Sequence, residues 1–291
     1  MGENRVFMDI TILGSGGNSS TPMPTCDCEV CVEAREKGLP YSRSGNSVFI
    51  RDENIMVDAP ERIWDSLNRE NIDQVDYIFI SHFHADHVLG LRVLQPLGLE
   101  EIPLEDFIGE DKPTLIMSEQ THERIVEKND IFQAITEWAD VEILNDGETK
   151  EIGSLEVKVI GAEIKQGEGK EIFGFLFKDG ENTVFISPDE NKHFDLDRLP
   201  ELNLWIKETG YFIQKPNGQK LVTKKAQEEL LKNELKFEES IEQVKHVRSE
   251  KVVMTEIEEL YRRSYDDYKE LEKQYKHLNL EFAYDGMRIE L

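Results

Sequence analysis

Short apolar runs rich in Val, Ile and Phe recur along the chain, each closed by Gly, Pro, Asn or Asp. Runs of this length and composition read as buried strands. In the first half they fall at 7–13, 47–51, 54–58, 76–81 and 114–117. In the second half they fall at 141–144, 155–159, 173–178, 183–187, 204–208 and 251–255. Two last runs, 280–283 and 287–290, are expected to close a hairpin across Asp285-Gly286, a pair suited to positive φ. Helical spacing follows His87 and covers 119–128, 131–138 and 264–276, with a long charged amphipathic helix expected over 224–247. The run 102–112, with Pro103 inside it and Pro113 just beyond, breaks the pattern and reads as an insertion or lid. Strand series followed by helices, twice over, predict mixed α/β layers. The 291 residues are enough for one unit, 1–291, with a substantial core.

The strand at 76–81 runs into Ser81-His82-Phe83-His84-Ala85-Asp86-His87, three imidazoles and a carboxylate on the loop leaving its C-terminal end. A lone histidine there would be unremarkable surface chemistry. Four ligand-type groups in this order suit borderline first-row divalent cations. Alternate side chains can face two neighbouring positions, His82 and His84 at one, Asp86 and His87 at the other. A hydroxide between two such cations is a nucleophile near neutral pH. Asp58, at the end of the 54–58 run, is placed to orient a ligand histidine. Gly14-Ser15-Gly16-Gly17 lacks the Lys-Ser/Thr pair of a phosphate loop and reads as a tight turn beside the same site.

All 3 cysteines lie in Cys26-Asp27-Cys28-Glu29-Val30-Cys31. An odd, crowded count is poor disulfide arithmetic and suits a structural zinc in a loop at about 26–31, closed by a distant fourth residue.

The histidine motif followed by Val88-Leu89-Gly90-Leu91 resembles the signature of the metallo-β-lactamase fold superfamily. Ile12-Leu13-Gly14-Ser15-Gly16-Gly17, the cysteines, Asn46-Ser47-Val48, Met56-Val57-Asp58-Ala59 and Phe282-Ala283-Tyr284-Asp285-Gly286-Met287 extend the likeness over nearly the whole chain. They resemble the subgroup of the phosphonate-pathway phosphodiesterase and the pyrroloquinoline quinone biosynthesis protein. The resemblance implies a four-layer αββα sandwich, a zinc on the three cysteines, and one or two active-site divalent metals. It implies a bridging Asp at Asp189, with Glu190 the one-residue alternative. Where relatives place further histidines, this chain has Glu256 in the active site, Glu259 at the structural zinc, and Glu163 or Ile164 at mid-chain. Lys220 falls where relatives carry a proposed acid-catalyst histidine and would neutralise charge there, while Asp86 orients the attacking hydroxide. Carboxylate in place of imidazole makes the pocket harder and more negative, favouring Mn, Fe(II) or Mg over Zn.

With 34 basic and 60 acidic residues the formal charge is −26, which repels nucleic acid. No window approaches about 18 uninterrupted apolar residues, and no apolar leader follows Met1, so a cytoplasmic protein without membrane contact is expected. The functional expectation is a metal-dependent hydrolase, a phosphodiesterase acting on a small anionic molecule. The alternative is a non-catalytic binding or carrier protein that keeps only its structural zinc. A homodimer is left open.

Overall fold

The computed structural model describes residues 8–99, 107–163 and 169–291. Two seven-stranded sheets form its centre. The first sheet is built from β1 (Asp9–Gly14), β2 (Ser47–Ile50), β3 (Ile55–Val57), β4 (Tyr77–Phe79), β5 (Thr114–Met117) and β6 (Asp140–Ile143). The second takes β7 (Thr149–Ile152), β8 (Leu155–Ala162), β9 (Ile172–Lys178), β10 (Thr183–Ser187), β11 (Leu202–Glu208), β12 (Ser249–Thr255) and β13 (Leu280–Phe282). The last strand, β14 (Arg288–Glu290), returns to the first sheet and pairs antiparallel with β1. Read along β14-β1-β2-β3-β4-β5-β6, the pairings are antiparallel up to β3 and parallel from there. The second sheet repeats that series from β7 to β13, turning parallel at β10.

Strand periodicity sorts the side chains into three cores and so four layers. Ile10, Ile12, Val48, Ile50 and Phe79 meet Val157, Phe175, Phe177, Ile206 and Val253 between the sheets. Their neighbours Leu13, Phe49, Ile78 and Ile80 point the other way, onto helical residues Ile63, Leu67, Leu91 and Phe132. On the far side Phe185, Trp205, Val252 and Phe282 pack against Phe237, Ile241, Val244 and Tyr268. This is the αββα sandwich. No helix among the described residues is long and apolar enough to cross a membrane.

Two expectations are corrected, and one strand was missed. The runs 280–283 and 287–290 do not form a hairpin: β13 pairs parallel with β12, whereas β14 pairs with β1. The chain crosses between sheets at Asp285-Gly286, where Gly286 has φ 84° and Asp285 accepts from Ser15 N and Oγ (both 2.9 Å) and Ser44 N (2.8 Å). The long helix is two, Lys224–Leu230 and Phe237–His246. It breaks because Tyr211 N donates to Leu235 O (2.7 Å) and Phe237 N to Tyr211 O (3.0 Å), forcing Lys236 extended. Strand β7 escaped the sequence reading because its Thr-Lys-Glu-Ile composition sits on an exposed sheet edge with little apolar signal. Much of the run 102–112 lies outside the described residues, as does Phe7. Its visible end folds back, Gly109 N donating to Gly98 O.

Asp285 is buried and also faces Arg69 at 3.6 Å, so removing its carboxylate strands several donors. Asp285→Ala is expected to lower the unfolding free energy by about 3 kcal/mol, read from urea denaturation. A loss under half that would show that water replaces the carboxylate.

Candidate metal centre and acidic cavity

The C-terminal ends of parallel strands from both sheets converge on one rim. Asp58 follows β3, Ser81–His87 follows β4, Asp189 and Glu190 follow β10, Glu208 ends β11 and Glu256 follows β12. Ligand sites on α/β sheets favour such strand ends, where loops diverge from a rigid base. The two halves are tied: Phe173 N donates to Ser81 O (3.0 Å), and Asn46 bridges by donating to Pro188 O (3.2 Å) and accepting from Thr255 Oγ1 (2.7 Å).

Asp58 organises the histidines. Its Oδ1 accepts from Ser81 N (2.8 Å) and its Oδ2 from Ser81 Oγ (2.7 Å), and Oδ2 also lies 2.8 Å from His87 Nδ1. Ser81 Oγ in turn contacts His82 Nδ1 at 3.0 Å. Both fully buried imidazoles are thus held by Nδ1, which leaves each Nε2 buried without a hydrogen-bond partner. Anchoring one ring nitrogen fixes the tautomer and aims the other at a ligand.

Asp189 Oδ2 stands 3.6 Å from His82 Nε2 and 3.7 Å from His87 Nε2, and Asp86 Oδ2 is 3.6 Å from His87 Nε2. These spacings are too long for hydrogen bonds. They match two atoms each about 2.1 Å from one tetrahedral cation, about 3.4 Å apart. Three overlapping groups result: His82, His87 and Asp189; His84, Asp189 and Glu190; and Asp86, His87 and Glu256. The orphaned oxygens Glu190 Oε2 and Glu256 Oε2 belong to them. The donor set therefore fits divalent cations, with Asp189 shared.

The sequence pairing is altered in one respect. His82 lies with His87 across Asp189, while His84 Nδ1 faces Glu190 Oε1 at 3.7 Å. Asp189 and its alternative Glu190 are both present. Glu163 belongs to none of these groups, and Ile164 lies outside the described residues. Lys220 is not brought to the site: it is exposed, paired across a turn with Gln214, and absent from the cavity lining. Its loop follows its own turn, so sequence distance from the relatives' histidine did not translate into position.

The cluster opens into a cavity of about 350 Å³ lined by Asp86, Asp189, Glu190, Glu208, Glu234, Glu256 and Glu258, together with Asn18, His84, Tyr211 and Tyr261. Strand ends could have signalled Glu208; Glu234 could not be read, because it sat inside an apparent solvent-facing helix. Gly17 makes the approach possible, since a Cβ there would lie 2.5 Å from Glu256 Oε1. Asp58, Glu190 and Glu256 adopt left-handed φ of 61°, 48° and 56°, a conformation that costs non-glycine residues about 1 kcal/mol each and concentrates at functional sites.

Burial, and then the positive charge of neighbouring imidazoles, pushes His82 well below its ordinary pKa; His84 is lowered by burial and His87. Burial alone would lower His87, but the Asp58 carboxylate raises it. Burial and mutual repulsion push Glu190 up to about 7 and Glu234 up to about 8, and the same causes raise Asp189 and Glu256. Without cations these carboxylates must take up protons.

At the second site Glu259 Oε1 lies 2.9 Å from Cys31 Sγ, 3.0 Å from Cys28 Sγ and 3.9 Å from Cys26 Sγ. The four donors converge, and Glu259 Oε2 is buried without a partner, so the set fits a closed structural zinc. Arg262 Nη1 donates to Cys28 Sγ (2.8 Å), Cys26 Sγ (3.3 Å) and Glu259. Hydrogen bonds from the Cys28 backbone and Arg262 lower Cys26 to about 7, whereas burial and Glu259 raise Cys31.

The fold and these donors define a protein of the metallo-β-lactamase fold. The chain belongs to the family described as Anti-Pycsar protein Apyc1, which matches residues 44–209, more than half of its length. No curated protein matches the sequence significantly. Among solved structures it is similar to a diphosphatase of the PhnP family at 21% identity and TM-score 0.73, with 98% of this chain and 97% of that one covered. It is also similar to Zn(2+)-bound PqqB from Methylobacterium extorquens (15% identity, TM-score 0.70, covering 98% and 100%). A third is human tRNase Z, short form, ELAC1 (14% identity, TM-score 0.59, covering 97% and 98%).

Two outcomes are expected here. The raised carboxylates keep protons that the unfolded chain releases, so their stabilisation is full below about pH 4 and is lost as pH rises through about 7 at Glu190 and about 8 at Glu234. The melting temperature of chelator-treated protein should therefore fall from pH 5 to pH 8, with saturating Mn²⁺ cancelling the fall and Glu234→Gln flattening it. At the cysteine site, Cys28→Ala should remove one equivalent of tightly held zinc by elemental analysis and lower the melting temperature; an unchanged zinc count would refute the Cys₃Glu assignment.

Proposed function

We propose that this protein is a metal-dependent hydrolase that cleaves a small phosphodiester. One observation carries the reading: Asp189 stands midway between two buried imidazoles with unpartnered Nε2 atoms, at the floor of an open cavity. Cations held by His82, His84, Asp86, His87, Asp189, Glu190 and Glu256 would supply Lewis acidity at phosphoryl oxygens and lower the pKa of water. Asp86 lines the cavity 3.6 Å from His87 and orients the attacking water by accepting a hydrogen bond from it. Asp58 and Ser81 hold the imidazoles in place, so that reacting groups meet a fixed frame. The carboxylate-rich donor set favours Mn or Fe(II) over Zn. Among the described residues no Lys or Arg lines the cavity, which disfavours a nucleic-acid polyanion and favours a small substrate.

The competing reading, a non-catalytic carrier, draws support from the position of Lys220, which leaves the cavity without a lysine or arginine among the described residues. Elemental analysis and assay decide between them. Protein supplied with Mn²⁺ or Fe²⁺ is expected to hydrolyse linear or cyclic phosphodiesters, and Asp189→Asn or His82→Ala to lower kcat/KM by about 100-fold or more. Inertness with Mn, Fe and Zn, together with metal only at the cysteines, would select the carrier.

A further inference from the structure

Asp189 belongs to two of the histidine-containing donor groups, yet it stands on a short turn, Pro188-Asp189-Glu190, that follows β10. A ligand carboxylate is only as well placed as the backbone beneath it. Here the carbonyls of three successive residues are each taken by a buried amide. Asn191 Nδ2 donates to Ser187 O (3.0 Å) and to Asp189 O (2.8 Å), and Asn46 Nδ2 donates to Pro188 O (3.2 Å). Asn191 Oδ1 accepts from Ser187 Oγ (2.7 Å), which itself accepts from Trp205 Nε1 on β11 (2.9 Å). The backbone of Asn191 is used as well: its N donates to Glu208 Oε1 (2.6 Å), and its O accepts from Gln243 Nε2 (2.9 Å) on the helix Phe237–His246. Asn191, Ser187 and Trp205 are fully buried. A side chain of this size that gives two donors and one acceptor is an asparagine; leucine fills the space without the bonds, and aspartate sets a carboxylate oxygen against two carbonyl oxygens. Between the clamped residues Glu190 lies at φ 48° and ψ 47°, a left-handed conformation that persists only where its surroundings impose it.

We propose that Asn191 is a positioning residue of the metal centre: its amide clamps the turn from Ser187 to Asp189, and so fixes the Asp189 carboxylate between His82 and His87. It acts through the backbone of Asp189 and lies outside the donor groups. The same residue gives Glu208 its place, as the acceptor that anchors the turn to the end of β11. The proposal rests on the metal-dependent reading above for its cations, and on no particular substrate.

The test titrates Mn²⁺ into chelator-treated full-length protein, without substrate. Affinity is read by calorimetry, and the EPR of bound Mn²⁺ reports how uniformly its ligands are held. Asn191→Ala and the near-isosteric Asn191→Asp should each weaken Mn²⁺ binding about tenfold or more and broaden the EPR spectrum. Gln243→Leu is the control: it removes the bond to Asn191 O and leaves the amide clamp, so affinity and spectrum should stay at the wild-type values whatever happens to the melting temperature. Wild-type affinity and line shape in folded Asn191→Ala would overturn the proposal. So would an equal loss in Gln243→Leu, which would reduce the role of Asn191 to general stability. Should neither Asn191 variant fold, Ser187→Ala, which removes only the bond to Oδ1 on the Asn191 side, is read in the same way, with an intermediate loss expected. A wild type that holds no Mn²⁺ overturns the proposal together with the hydrolase reading. A wild type that holds Mn²⁺ but cleaves no diester ends that reading alone, and the binding data still decide the role of Asn191.

Discussion

Seven carboxylates around one cavity of about 350 Å³ are the constraint on which this molecule turns. Buried negative charges at such spacing cannot all remain ionised unless protons or cations join them. The rim supplies imidazoles rather than lysines as neighbours, and desolvation keeps His82 and His84 neutral, so they act as ligands and not as counter-ions. The carboxylates' demand for positive charge is thereby directed to divalent cations.

The scaffold meets that demand through rigidity. All of these acidic side chains but Glu234 come from the C-terminal ends of parallel strands or the loops that follow them, and the two sheets are locked by contacts that cross between them: Phe173 to Ser81, Asn46 to Pro188 and Thr255, Asp285 to Ser15 and Ser44. Three carboxylate residues sit at left-handed backbone angles, which the surrounding hydrogen bonds hold in place. Repulsion among like charges would otherwise open the rim, so the cross-sheet ties and the cations act toward the same end.

A glutamate joins the donor set at both sites. Glu256 meets Asp86 and His87 in the cavity, and Glu259 meets three thiols outside it. At the second site Arg262 donates to two of those sulfurs and to Glu259, so that the additional negative charge is answered locally. Among the described residues no arginine lines the cavity, so its charge is left to protons and cations.

The histidine motif, the cysteine cluster, the strand alternation and the role of Asp58 were legible in the sequence, because each rests on local chemistry: residue type, spacing, and a strand's period of two. Asp189, Glu256 and Glu259 were reached through resemblance. What the tertiary structure alone decided were matters of long-range pairing. Strand β14 joins β1 from the far end of the chain, Tyr211 breaks a helix that its own sequence would continue, and that break turns Glu234 inward. Lys220 shows the converse, a residue in register by sequence yet left on the surface. Periodicity records which face of an element is buried; which elements meet, and hence how many charges share one cavity, is set only when the two sheets close on each other.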